Sequence, residues 1–238
     1  MRKISLRRIL SLLILLLGIP AVLYLCSQFN RKYYVGGSAV ILLTFLAFAL
    51  HFEDRKPQAR ELVIVAVMSA LAVASRVVFA AVPHFKPTTA IIMLTGIAFG
   101  PEAGFLSGAL TGFVSNFIFG QGPWTPWQMF AYGVGGLLAG IFARRGVLKQ
   151  APKKAGDLAV LGIFGFLAVV CVVGPLLDTC TLVTMAAVIN NTSVGAIYLS
   201  GLPINLIHGG ATAVTLVLAG KPLLGKLTRV QVKYGMME

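Results

Sequence analysis

The chain has few charged residues, and acidic residues are the rarest among them. Only 11% of its 238 residues are charged, 7 acidic side chains stand against 20 basic ones, and 58% of the residues are hydrophobic. A soluble domain of this length has too small an interior to hide so many apolar side chains. The composition therefore excludes an ordinary soluble domain and indicates a protein embedded in a membrane.

Motifs for catalysis and for metal binding are missing as well. The sequence has no Walker A loop to hold the phosphates of ATP, no paired acidic motif of the DDxxD type and no HExxH motif. Cys26, Cys171 and Cys180 fit no metal-binding or redox spacing. No serine, histidine and aspartate are spaced convincingly as a catalytic set. We therefore expect a protein that is not an enzyme and that carries neither a metal nor a cofactor.

Long apolar runs take the place of these motifs. Runs of about 18–20 residues are long enough to cross a membrane as helices, and these runs are apolar nearly throughout, which predicts an all-α polytopic membrane protein. The run at 88–100 would be only about 20 Å long as a helix. We therefore expect it to be tilted, buried among its neighbours or partly unwound. The candidate spans are 9–26, 35–52, 61–82, 88–100, 102–119, 127–143, 157–177 and 203–220.

Basic residues cluster at the ends of these runs and give the chain a net charge of +13. Cytoplasmic loops are rich in lysine and arginine, and placing both termini in the cytoplasm of a bacterium puts every cluster on that side of the plasma membrane. This distribution argues against a basic face for nucleic acid. The clusters are Arg2, Lys3, Arg7 and Arg8; Arg55, Lys56 and Arg60; Arg144, Arg145, Lys149, Lys153 and Lys154; and Lys221, Lys226, Arg229 and Lys233.

Composition divides the chain into three parts. Residues 1–56 form a leucine-rich hairpin of two spans, which we interpret as an added anchor. Residues 57–225 hold most of the glycine, proline and intramembrane polar groups, and they predict a core of six helices that binds a substrate. Residues 226–238 form a basic cytoplasmic tail. Within the core, a ninth span in 178–202 would move this tail outside, so we expect a helical extension and an outer cap there, with a turn at 190–192.

Small residues recur at four-residue intervals along the predicted core helices. Ala66, Ala70 and Ala74 share one helix face. This alanine stripe predicts either packing within the chain or docking of a separate membrane subunit. For the glycines we expect close internal packing and a compact bundle. They are Gly96, Gly100, Gly104, Gly108 and Gly112 in one set and Gly133, Gly136 and Gly140 in another.

Polar and aromatic candidates collect at the predicted outer ends of the spans. Polar side chains inside a membrane are costly and mark functional sites. Both tryptophans lie in the stretch 121–131, either as interface anchors or as the wall of a binding site, and for Arg76 the alternative is a side chain that snorkels outward. Together these residues predict a pocket open to the exterior. The candidate binding residues are Arg76, Phe85, Lys86, Asn116, Gln121, Trp124, Trp127, Gln128, Asn205 and His208.

Segments 66–70, 75–79, 83–89, 96–100 and 120–131 carry a resemblance to a known family. The last reads GQGPWTPWQMFA and is the most specific. On these segments the core resembles the substrate-binding S component of an energy-coupling factor (ECF) vitamin transporter. The resemblance implies six core helices with both ends cytoplasmic and a vitamin site at the outer face, closed by the loop at 83–87. It also implies a membrane coupling subunit that docks on the alanine stripe and two ATPase subunits that power uptake.

The resemblance is greatest to the cobalamin-type branch, which implies cobalamin as the ligand. Riboflavin, a queuosine precursor or another small nutrient remains open as an alternative. Two other functions also remain open. One is an intramembrane enzyme that modifies a lipid or prenyl group, with Arg76, Asp178 and His208 as its catalytic set, and the other is a scaffold without a transport function.

Overall fold

The computed structural model describes residues 6–28, 33–53, 59–185 and 189–234. All regular structure within these ranges is helical, which confirms the predicted all-α class. The helices are α1 (Leu6–Leu13), α2 (Ile19–Gln28), α3 (Tyr33–Glu53), α4 (Ala59–Val78), α5 (Thr88–Phe99), α6 (Pro101–Phe119), α7 (Trp124–Arg144), α8 (Ala155–Ala168), α9 (Gly174–Met185) and α10 (Asn191–Lys233).

Three segments in the described part of the chain are long and apolar enough to cross a membrane. They are Glu61–Val78, Ala155–Thr184 and Asn191–Lys233. The second is one continuous span because the π-helical turn Val169–Val173 joins α8 to α9, and the turn Ile14–Gly18 joins α1 to α2 in the same way. The helices therefore form a polytopic membrane protein, as the sequence predicts.

Helix α5 is too short to cross a membrane, and protein surrounds it on all sides. Every residue from Thr88 to Ala98 is buried. Its 12 residues span about 18 Å at 1.5 Å per residue, well below the thickness of the hydrocarbon core. The sequence left three possibilities for the run at 88–100: a tilt, burial among neighbours or partial unwinding. The structure shows burial among neighbours. Helices α4, α6, α7 and α10 pack around it.

Glycines bring the backbones of α5, α6 and α7 into direct contact. A methyl group added at Gly96 or at Gly104 would collide with the backbone of Gly136 on α7. One added at Gly108 would collide with the backbone of α7 at Tyr132. Without side chains at these positions the helices approach closely, as small residues allow in membrane proteins. The predicted close internal packing of the glycines is confirmed.

The N-terminal hairpin packs against the core through a shared hydrophobic cluster. The π-helical turn Ile14–Gly18, α2 and α3 contribute one side of this cluster and α6 and α7 the other. The hairpin is therefore part of the packed bundle, with α3 lying against both α6 and α7. The cluster consists of Leu15, Ile19, Leu23, Val40, Ala47, Phe105, Ala109, Met129, Phe130, Val134 and Leu137.

Helix α10 is much longer than the predicted span at 203–220. It begins after Asn190, whose side chain accepts a hydrogen bond of 2.8 Å from the backbone N–H of Ser193 and so caps the helix. It runs through the predicted boundary at 225, and Gln231 remains buried and donates to the carbonyl of Ala98 at 2.6 Å. Residues 191–202, expected as an outer cap, are the first turns of this helix.

Replacing Gly136 with alanine is expected to destabilise the bundle by about 1–3 kcal/mol, because the added methyl group overlaps the backbone of Gly104 and forces α6 and α7 apart. Thermal unfolding in detergent micelles, followed by circular dichroism, measures this as a lower Tm. Gly210→Ala is the matched control, since a methyl group at Gly210 on α10 meets open space. Equal Tm values for the two variants would contradict the proposed tight crossing.

Candidate functional site

Arg76 lies near the C-terminal end of α4 and its side chain turns into the bundle. Its Nη1 donates to the hydroxyl of Ser115 and to Oδ1 of Asn116, at 3.0 Å from the latter. The guanidinium carbon lies 4.7 Å from the centroid of the Phe119 ring, within the range of a cation–π interaction. The side chain is half-buried, and its hydrogen bonds are made to α6.

Asn116 is the centre of the polar contacts that surround Arg76. It is 1% exposed. Arginine can only donate hydrogen bonds, so Oδ1 of Asn116 faces Arg76 and the amide nitrogen points away from it. That nitrogen donates to the hydroxyl of Thr125 at 3.0 Å and to Oε1 of Gln128 at 2.9 Å. One buried amide thus joins α4, α6 and α7.

The connector before α7 completes this arrangement. The hydroxyl of Thr125 donates to Oε1 of Gln121 at 2.9 Å and accepts from the backbone N–H of Gly122 at 3.2 Å. Gln121 also donates to the carbonyl of Phe113 at 3.1 Å. We call this set of hydrogen-bonded side chains the polar network. Its members are Arg76, Ser115, Asn116, Gln121, Thr125 and Gln128.

The two tryptophans lie beside the polar network and make their contacts elsewhere. Helix α7 begins at Trp124 rather than at 127, because proline is compatible with a first helical turn and Pro126 sits there. The indole N–H of Trp124 donates to the carbonyl of Gly120 at 3.2 Å. Trp127 packs against the hydrophobic cluster shared with the N-terminal hairpin. The polar groups of this stretch come from its glutamines and from Thr125.

The loop between α4 and α5 is folded back onto the end of α4. The ammonium of Lys86 donates to the carbonyls of Phe79, Ala80 and Val82, at 3.3 Å and 3.1 Å for the last two. The rings of Phe79 and Phe85 are 5.8 Å apart between centroids. Burial of the Lys86 ammonium, and then the positive charge of Arg76, lower the pKa of Lys86. Lys86 therefore binds carbonyls of the turn that follows α4.

Asn205 and His208 on α10 have partners on two different helices. Nε2 of His208 lies 2.9 Å from the hydroxyl of Thr89 at the start of α5. The amide nitrogen of Asn205 donates to Oδ2 of Asp178 on α9 at 2.7 Å. Arg76 binds α6, Asp178 accepts from Asn205, and His208 contacts Thr89. These three residues therefore have separate partners. The contacts do not assemble them into the catalytic set that an intramembrane enzyme would need.

Four of the ten candidate binding residues thus form one network, and the contacts given above for the other six lie outside it. Two of its members, Ser115 and Thr125, were not predicted as candidates. Each lies within three residues of a predicted amide, at 116 or at 128, and that proximity is the signal that would have pointed to them. A second unpredicted contact, between the hydroxyls of Ser75 and Thr88 at 3.2 Å, links α4 to the start of α5.

The alanine stripe of Ala66, Ala70 and Ala74 faces away from the bundle. All three residues are exposed, while Val65 and Ala72 on the opposite face of α4 are buried. In the described part of the chain, these three alanines are therefore not packed against another helix.

A family model for the "ECF-type riboflavin transporter, S component" matches residues 56–228. This chain belongs to that family. The predicted family is thereby confirmed, and the S component is one subunit of a multi-pass transporter of the bacterial plasma membrane, not an enzyme. Membership implies that it associates with a coupling subunit and with ATPases.

Curated relatives of the S component include proteins from two strains of Clostridium perfringens. The UPF0397 proteins of strain SM101 and of strain ATCC 13124 are each 26% identical to it over 166 residues, which is 66% of this chain and 83% of theirs. No solved structure gives a significant match.

Exchanging Asn116 for leucine is expected to cost about 1–3 kcal/mol of stability, because Arg76, Thr125 and Gln128 each lose a buried partner. The Tm of the purified S component measures the effect. Phe117→Leu is the control, since Phe117 is the next residue along α6 and is 69% exposed. If Asn116→Leu melts with wild-type Tm, the polar network does not hold the three helix ends together.

Proposed function

We propose that the S component captures one small nutrient at the polar network and delivers it to the rest of an ECF importer. The observation that carries this proposal is the buried amide of Asn116, which joins a cation and two further polar side chains at one end of the bundle. Intramembrane polar groups of this cost mark substrate sites. The distribution of basic residues favours the outer face for this end of the bundle.

The donors and acceptors at the network suit a planar, polar ligand. Both hydrogen bonds of Arg76 to described residues come from Nη1, so its other donors are available to a ligand carbonyl or hydroxyl. Gln128 accepts from Asn116 through Oε1, so its amide nitrogen can donate to a ligand. Phe85 and Phe79 supply aromatic faces close to the end of α4. Such a set favours a conjugated ring with several polar atoms along its edge.

Riboflavin meets this description and is our first choice of ligand. The family model that matches residues 56–228 is named for a riboflavin transporter, which supports this choice. Cobalamin, which the sequence resemblance implies, is the second choice, because its many amide groups would also pair with the network. Lys86 and Phe85 belong in this proposal to the loop that closes over the ligand. Asn205 and His208 would line the side formed by α10.

Titration of the purified S component with riboflavin, followed by quenching of flavin fluorescence, tests the ligand directly. Gln128→Leu is expected to weaken binding about ten-fold, the effect of one lost hydrogen bond to a buried group. Gln150→Leu is the matched control, because Gln150 donates to the carbonyl of Ile97 at the other end of α5, at 3.0 Å.

Four outcomes separate the parts of this proposal. Riboflavin binding that Gln128→Leu weakens and Gln150→Leu leaves unchanged supports both the ligand and the site. Binding that neither change affects would place the site elsewhere in the protein. Failure of the wild-type protein to bind riboflavin, with tight binding of cobalamin in the same assay, would replace the first ligand by the second, and failure with both would count against the proposed site.

The exposed alanine stripe on α4 is, in the same proposal, the docking surface for the coupling subunit. Small side chains at four-residue intervals let a partner helix approach closely within the membrane. The S component carries no ATP-binding loop of its own, so uptake depends on this contact with an energised partner.

Ala70→Trp is expected to abolish uptake while leaving nutrient binding intact, because the indole holds the partner helix away from α4. Uptake of labelled nutrient into cells that express the complete transporter gives the first quantity, and titration of the purified variant gives the second. Ile163→Trp on α8 provides the control, since Ile163 is 60% exposed and off the stripe. Normal uptake by Ala70→Trp would show that the stripe is not the contact surface.

A further inference from the structure

A basic groove lies at the end of the bundle opposite to the polar network. It is an open cavity of about 490 Å³ between the connector from α7 to α8 and the C-terminal part of α10. The fold and the proposed nutrient site make no use of it. Its lining residues are Ala151, Pro152, Lys153, Lys221, Pro222, Gly225, Lys226 and Arg229.

Four of the lining side chains are cationic, and none is acidic. Among the described residues, two acidic side chains lie near this connector: Glu102 pairs with Arg144 at 3.0 Å, and Asp157 pairs with Lys149 at 2.7 Å. Asp157 also accepts from the backbone N–H of Lys153 at 3.1 Å. Within the described part of the chain, the four cations of the groove form no ion pair with a carboxylate. The groove therefore concentrates four positive side chains that are not ion-paired within the described part of the chain.

The groove lies at the level where the chain leaves the hydrocarbon. Residues 191–220 of α10 contain no lysine, arginine, aspartate or glutamate, and Lys221 is the first charged residue of that helix. Lys153 lies two residues before α8 begins at Ala155, so both sides of the groove reach this level together. Phospholipid headgroups occupy this depth of a bilayer.

The shape of the groove combines an apolar floor with a charged rim. Lys221, Gly225 and Arg229 lie four residues apart, so they share one face of α10. Gly225 has no side chain, and a methyl group added there would meet open space. Pro152 and Pro222 add apolar surface from the two sides. A flat acidic protein surface would not enter such a concave site, whereas a phosphate attached to a glycerol would.

We propose that this groove binds the headgroup phosphate of an anionic phospholipid. Lysine and arginine are the side chains that bind phosphate, arginine with two parallel hydrogen bonds. Basic pockets between membrane helices bind anionic lipid headgroups for the same reason. The apolar floor accepts the glycerol and the first carbons of the acyl chains. The bound lipid connects α10 to the α7–α8 connector, and it is independent of the nutrient site.

Native mass spectrometry of the full-length protein, with phosphatidylglycerol added to the detergent micelles, tests the proposal. The wild-type protein is expected to retain phosphatidylglycerol over phosphatidylcholine. The double variant Lys226→Gln with Arg229→Gln is expected to bind it about thirty-fold more weakly, since each basic residue near an anionic lipid contributes roughly five-fold. Arg145→Gln with Lys233→Gln removes the same charge outside the groove and is expected to retain the lipid.

A second pair of variants changes the shape of the groove without changing its charge. Gly225→Leu fills the groove and is expected to lower phosphatidylglycerol retention. Gly210→Leu places the same side chain in open space elsewhere on α10, and it is expected to bind like the wild-type protein. Circular dichroism of each variant confirms that it is folded before its lipid retention is compared.

Each remaining outcome overturns the proposal in a defined way. Equal losses in the two double variants would show that general charge, and not the groove, attracts the lipid. Equal retention of phosphatidylcholine would show that the headgroup charge is not recognised. Displacement of phosphatidylglycerol by millimolar inorganic phosphate would identify a site for free phosphate. The assay needs no nutrient, so its failure leaves the proposed transport function untouched.

Discussion

The contact of glycine backbones between α6 and α7 is the constraint on which the rest of this structure depends. At Gly104 and Gly136 the two helices meet without any side chain between them. This close approach places the end of α6 beside the start of α7, so that Asn116 reaches Thr125 and Gln128 at about one hydrogen-bond length. A wider separation would leave a buried amide unpaired within the membrane, which is costly. Close packing and the polar network are therefore one structural feature.

The sequence predicted this packing but could not predict the partners in the network. Residues four apart share a helix face whatever surrounds them, so the glycine spacing alone predicted a helix face that packs closely. The position of a hydroxyl group near a predicted amide is visible in the sequence, but the side chain that it pairs with is not. Thr111 on α6 donates to its own helix, to the carbonyl of Ser107 at 2.6 Å, while Ser115 one turn later accepts from Arg76. Only the position of α4, brought in by tertiary packing, distinguishes the two.

The two ends of α10 were not predicted either, because hydropathy does not register them. Hydropathy marks the part of a helix that lies in lipid, and a change from apolar to basic residues does not by itself end a helix, because lysine and arginine are good helix formers. The predicted tail from 226 therefore continues α10, and the capping of its start by Asn190 depends on a hydrogen bond that hydropathy does not register. The family and the fold class, by contrast, followed from features that need no tertiary information.

Helix α5 shows how the two ends of the bundle are connected. A short helix inside a membrane protein leaves terminal carbonyls that lipid cannot satisfy. At the C-terminal end of α5, Gln150 and Gln231 supply the donors for the carbonyls of Ile97 and Ala98.

At the start of α5, Thr88 and Thr89 contact Ser75 and His208 instead. The loop from α4 to α5 therefore leaves α4 beside Arg76 and returns beside His208. A ligand that binds the polar network and α10 together would hold both ends of this loop. The short helix, fixed at its far end by two glutamines, is then a rigid base for the loop.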